Sequence, residues 1–151
     1  MAKFIFKMEN ILEVKRKLED QAKSVYANAL AVLDEEQQVL FRLEQQKEGY
    51  KERLTSMMVA SLNIDQIRTL EDAIEVMKYK IREQMVRVQD AEIKAERARQ
   101  ALQAAVVERK TYEKLKEKAF EEFKLEINAQ EKKEVDELVS YTFSKSTEEV
   151  G

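Results

Sequence analysis

The sequence predicts an all-α fold: two long helices in an antiparallel coiled-coil hairpin, with the second helix longer and ending in a C-terminal overhang. Three observations predict it. The chain has 151 residues, no Pro, no Cys and two Gly, and 38% of it is charged; that is the composition of a long-helix protein, too poor in turn residues for many short elements. An apolar seam recurs every three or four residues through most of the chain, with charge on the other faces. Alanine is concentrated twice, at Ala22 to Ala31 and at Ala91 to Ala105, where small side chains allow two helices to approach closely.

The first helix is expected over about 4–59. Its opening carries Lys3, Lys7, Lys15, Arg16 and Lys17, with Phe4, Met8, Ile11 and Leu12 on one face. This is the start of a coiled-coil helix, or a basic amphipathic end that meets an acidic partner or an anionic membrane surface. From Met8 the seam reads Ile11, Lys15, Leu18, Ala22, Val25, Ala29, Val32, Glu36, Val39, Leu43, Gln46 and Tyr50. Ile11, Leu18, Val25, Val32 and Val39 are each seven apart, and Leu12, Tyr26, Leu33 and Leu40 widen the stripe on one side. Gly49 is a weak point within the pattern, not a break, because Tyr50, Leu54 and Met57 continue it.

A tight turn is expected at about 60–64. Charge disappears between Arg53 and Asp65, Asn63 with Gln66 suits an N-cap and capping box, and Asp65 suits the positive end of a new helix. The second helix then runs over about 65–143, with a frayed tail at 144–151, all within one domain spanning 1–151. Its seam is Ile67, Leu70, Ile74, Met77, Ile81, Met85, Val88, Ala91, Ala95, Ala98, Leu102, Ala105 and, after Arg109, Tyr112. Facing residues of an antiparallel hairpin have a constant index total. The two alanine patches set it at about 124 and centre the turn near residue 62. Residue 4 then faces residue 120, and the chain from Glu121 to about Phe143 overhangs, keeping Phe123, Leu125, Ile127, Val135, Leu138, Val139 and Phe143 without an intramolecular partner.

The absences restrict function. Without Cys or His there is no disulfide framework, no thiolate nucleophile and no common metal ligand. No glycine-rich phosphate loop exists, no apolar run is long enough to span a membrane, and no signal peptide is expected. A net charge of −3 argues against nucleic acid as a partner. No catalytic constellation can be assembled, so no cofactor is expected and the protein reads as non-enzymatic. Glu121 and Glu122 read as a solvated helix face. Met57-Met58-Val59 is either an adaptable contact patch or packing beneath the turn. Lys15, Glu36, Gln46, Gln84 and Arg109 interrupt the seam and are expected to set register.

Three stretches carry a family resemblance: Phe4-Ile5-Phe6-Lys7-Met8-Glu9-Asn10-Ile11-Leu12 with Lys15-Arg16-Lys17-Leu18-Glu19 and Ala22-Lys23; Glu108-Arg109-Lys110 leading into Glu113-Lys114-Leu115-Lys116-Glu117-Lys118; and Glu131-Lys132-Lys133-Glu134-Val135-Asp136-Glu137-Leu138 ahead of Phe143. In order and spacing the chain resembles the FliJ family of flagellar type III export proteins, whose injectisome counterpart is the YscO type. The resemblance implies a cytoplasmic coiled coil, peripheral at the inner face of the cell membrane. It further implies a shaft-like link between the export ATPase hexamer and the cytoplasmic domain of the export gate, with escort chaperones of export substrates as further partners. Membrane contact is at most peripheral. The gate-binding face would be Gln66, Leu70, Ala73 and Met77, of which Leu70 and Met77 equally suit the seam. The ATPase end would involve Phe4, Lys7, Phe123, Ile127, Lys132, Lys133, Asp136 and Leu138. A self-associating coiled-coil scaffold or stalk is the alternative reading of the same pattern.

Overall fold

The computed structural model describes residues 2–60 and 63–150, with side chains through residue 147. Among the described residues it contains two helices, α1 (Glu9–Ala60, 52 residues) and α2 (Ile64–Val150, 87 residues). The two pack against each other. The expected turn at 60–64 includes residues 61 and 62, which lie outside the described residues. Its flanks are clear. α1 stops at Ala60, and Asn63 caps α2: its side-chain Oδ1 accepts from the Gln66 N–H at 3.3 Å, and its carbonyl accepts from the Ile67 N–H at 3.0 Å.

Two compact units arise from these helices. The first joins the chain up to Glu19 with the chain from Ala105 onward, and the second is Asp20–Ala104. In the second unit the core is Ile74, Met77, Ile81, Val88, Ala91, Ala95 and Ala98, all buried. Gln84 is also buried, at 5% exposed. The bounding residues Ala60 and Ile64 have numbers totalling 124, which sets Ala29 level with Ala95 and Leu33 level with Ala91. At both levels α2 contributes a small side chain, which lets the helices approach closely. In the first unit the core is Phe6 and Leu12 with the carboxylate-bearing Glu19. Here Phe4 meets Phe120, ring centroids 5.1 Å apart, again at a total of 124.

The seam of α1 is turned by one residue from the expected one. Leu12 is fully buried, whereas Ile11, Leu18, Val25 and Val32 are exposed. Leu12, Lys15, Glu19, Ala22, Tyr26, Ala29, Leu33, Glu36, Leu40, Leu43, Lys47, Tyr50, Leu54 and Met57 are buried or half-buried in an unbroken alternation of three and four, with Glu9, Val39 and Gly49 half-buried outside that row. That alternation, rather than apolarity, follows a two-stranded seam. In α2 the same rule buries Gln84 and leaves its neighbour Met85 exposed, where Met85 is the apolar residue the sequence favours.

Both ends of the helical pair differ from expectation. Helix does not begin near residue 4: residues 2–8 are non-helical and α1 starts at Glu9, whose N–H bonds to the Phe6 carbonyl at 3.2 Å. Phe-Ile-Phe has modest helix propensity and no side chain stands ahead of it to cap a helix. Phe4 and Phe6 instead pack inward, Phe4 against both Phe120 and Phe123. At the other end α2 does not stop at 143 but continues to Val150. Within it the Thr142 and Thr147 hydroxyls donate to the carbonyls of Leu138 and Phe143, four residues earlier, at 2.8 and 2.7 Å, which places these polar side chains on the helix's own backbone.

Candidate interaction surfaces

In the first unit the seam closes on charge. Arg109 enters from α2 and donates to both carboxylate oxygens of Glu19, from Nε at 2.5 Å and from Nη2 at 3.3 Å, while its Nη1 donates to Glu113 at 2.8 Å. Glu19 is 6% exposed. These two carboxylates hold the guanidinium pKa above its ordinary value. Around this centre, Lys15 bonds Glu108 at 2.9 Å and stands over the Tyr112 ring, Arg16 approaches Glu113 at 3.8 Å, and the Lys116 ammonium forms an ion pair with Glu9 at 2.8 Å. The Glu108 hydrogen bond raises the Lys15 pKa. A bidentate arginine in a narrow seam fixes register as well as charge. Sequence reading finds Arg109 but not Glu19. The available signal was spacing: Glu19 follows Leu12 by seven, on the row that is buried.

The residues assigned to the ATPase end divide into two groups. Phe4 and Phe123 meet each other, with centroids 5.4 Å apart, and Ile127 is half-buried; these three close the end of the seam. Phe120, which the register sets opposite residue 4, completes the cluster, and Lys124 lies 4.7 Å above its ring. Lys7, Lys132, Lys133, Asp136 and Leu138 are exposed. Every described side chain beyond Ile127 is exposed, so the unpaired part of α2 starts after residue 127, not at 121.

The second unit holds the residues assigned to the gate face. Met77 is buried in the core, Leu70 and Ala73 are half-buried and Gln66 is exposed. Gln66 and Leu70 line an open groove of about 770 Å³, together with Gly49, Glu52, Arg53, Ser56, Met57 and Thr69. The groove exists because the residues flanking the seam here are small: Gly49, Ser56 and Thr69. Deeper in this unit Gln84 donates from Nε2 to the Glu36 carbonyl at 2.9 Å and also to the Glu36 carboxylate. This cross-helix pair satisfies two seam positions that an apolar seam would have filled.

Among the described residues no helix is long and apolar enough to cross a membrane, and no group of acidic side chains is placed to hold a metal ion.

The model of the family described as "Flagellar FliJ protein" matches residues 4–148. No curated protein matches the chain. A solved chain described as a candidate YscO homolog, CT670 from Chlamydia trachomatis, is similar in fold: TM-score 0.60 at 21% identity, covering 97% of this chain and 99% of that one. With two antiparallel helices, a seam register running from residue 4 onward and a family match across nearly the whole length, the chain belongs to the FliJ family of type III export-related coiled-coil proteins.

Proposed function

We propose that this protein acts in flagellar export as a non-enzymatic, shaft-like coupler between the export ATPase ring and the cytoplasmic domain of the export gate, and that it also receives escort chaperones of export substrates. It works in the cytoplasm, at the inner face of the membrane. The observation that carries the reading is the stretch of α2 beyond Ile127. It is helical, and all its described side chains are exposed. A helix that leaves a register-locked pair and carries Val135, Leu138, Val139 and Phe143 into solvent is suited to engage a larger body.

In this reading Lys132, Lys133, Asp136 and Leu138 face the ATPase, while Phe4 and Phe123 shape the base from which the helix projects. Gln66 and Leu70 contact the gate through the groove, and Ala73 extends that contact along α2 beyond it. Met77 supports them from the core.

The test is capture of the protein by immobilised export ATPase, comparing the full chain with one ending at Gln130. That cut spares Phe123 and Ile127 and so leaves the seam whole. Loss of capture is expected; undiminished capture by the shortened chain overturns the ATPase assignment. For the gate, Ala73→Glu is expected to abolish capture by the gate's cytoplasmic domain without changing the melting temperature.

A further inference from the structure

α1 carries a second apolar row that its seam does not use. Val25 and Val32 are 59% and 48% exposed, and Val39, again seven residues on, is half-buried. Each stands one position before a seam residue: Tyr26, Leu33 and Leu40. In a two-stranded coil that flanking position is ordinarily Glu or Lys. On α2 the equivalent position, one before Ile81, Val88 and Ala95, is held by Lys80, Arg87 and Lys94, all exposed.

In an antiparallel pair like flank lies beside like flank. Arg16 and Glu113 each follow a seam residue by one, and they meet across the pair at 3.8 Å. By the same geometry the preceding flanks share the other side, and the register of the second unit sets Val32 beside Lys94 and Val39 beside Arg87. No ion pair engages Lys80, Arg87 or Lys94 among the described residues. Glu83, one turn from Arg87, accepts instead from the Tyr79 hydroxyl at 2.7 Å.

The geometry points to this flank of the second unit as the docking surface for a third helix, an acidic amphipathic helix from another protein. Its apolar residues, seven apart, lie on Val25, Val32 and Val39, and its Asp or Glu row meets Lys80, Arg87 and Lys94. The valine row spans about 21 Å, or four helical turns. Charge selects the occupant. A second copy of this chain docking through this same flank brings the same basic row and meets it with like charge. The inference goes beyond the coupler reading and stands without it.

The probe is a fluorescein-labelled synthetic helix of about three heptads, with Leu on its seam and Glu on its flanks; the control has Lys in place of each Glu. Fluorescence anisotropy with the full chain is expected to show binding of the Glu peptide, at least about tenfold tighter than the Lys peptide and weakened by salt. Val25→Ser with Val32→Ser is expected to weaken it about tenfold, and Lys80→Glu, Arg87→Glu and Lys94→Glu together are expected to reverse the preference. Circular dichroism and melting temperature stay unchanged in both. Should the serine pair fail to fold, the charge reversals, which lie at exposed positions, decide the matter. No binding of the Glu peptide, or equal binding of both peptides, overturns the proposal. So does a dimer in light scattering that the serine pair dissolves, which assigns the surface to a second copy. Sedimentation with phosphatidylserine–phosphatidylcholine vesicles that is lost in the same variants overturns it in favour of a membrane.

Discussion

Arg109 of α2 grips Glu19 of α1 with two nitrogens, Nε at 2.5 Å and Nη2 at 3.3 Å, at positions where an all-apolar seam would have placed leucine. Each residue depends on the other. Removing one partner takes from the other its bidentate counter-charge in the seam, whereas replacing both removes the desolvation cost of the pair. Arg109→Met is therefore expected to lower the melting temperature by more than Lys78→Met, which breaks only the exposed Lys78–Glu75 pair. Glu19→Leu combined with Arg109→Leu is expected to restore or exceed the wild-type value. Thermal unfolding followed at 222 nm measures all three, and a double variant no more stable than Arg109→Met would show that the pair does not act as a unit.

The rotation of the α1 seam is tested by adjacent residues. Leu12 is 0% exposed, while Ile11 beside it is among the exposed hydrophobics. Leu12→Ala is expected to cost about 3 kcal/mol through lost burial and the cavity left behind. Ile11→Ala should cost about 1 kcal/mol or less. Urea unfolding of the two variants distinguishes them, and equal losses would restore the row of Ile11, Leu18, Val25 and Val32 to the seam.

Gly49 lies inside α1, and a Cβ built on it meets nothing within 4 Å. Gly49→Ala is expected to stabilise the protein by about 1 kcal/mol, the usual helix-interior difference, read as a higher urea midpoint at unchanged slope. Because Gly49 also lines the groove with Gln66 and Leu70, the same variant reports whether the groove tolerates a methyl group: gate capture that falls as stability rises would separate the two roles.

Alkaline pH probes the Lys15–Glu108 bond. That hydrogen bond raises the Lys15 pKa above its ordinary 10.5, so the folded state holds the proton more tightly than the unfolded chain does. The stabilisation is fully present below the ordinary value and disappears as pH rises through the raised one. Wild-type stability is expected to fall more steeply above about pH 10 than that of Lys15→Met, with the two curves converging at the alkaline end. Parallel curves would remove this bond from the ledger of stabilising contacts.

Much of the fold was legible because register and composition are set by different signals that agree. The alanine patches alone set a total of about 124, and Phe4–Phe120 and the Ala60–Ile64 bounds both meet it. The Asn63 cap was legible because a side chain and its acceptor geometry lie within one turn. What hydropathy could not show was which of two neighbouring rows is buried. Val25 and Val32 are more apolar than Glu19 or Glu36, yet Glu19 and Glu36 occupy the seam because Arg109 and Gln84 complete them from the other helix. A polar residue's partner 48 or 90 positions away leaves no mark in a local periodicity. For Phe4 the register already set residue 120 opposite; what local spacing missed is that Phe4 packs there from a non-helical segment, not from a helix face. Of the interaction surfaces, the sequence exposed the unpaired end of α2 but not its starting point, since the non-helical segment brings Phe4 onto Phe123 and burial extends to Ile127.

The helix beyond Ile127 does not have to nucleate. An isolated peptide of its length would be marginally helical in water, because fixing the first turn is the costly step. Here that turn is already made within the packed unit, and every further residue only propagates it. Hydrogen exchange should accordingly show protection that decays gradually outward from Ile127, not a sharp boundary. A partner that grips residues 132–143 then meets an already started helix, loses less chain entropy on binding than it would with a disordered tail, and can release it as quickly as the last turns unzip.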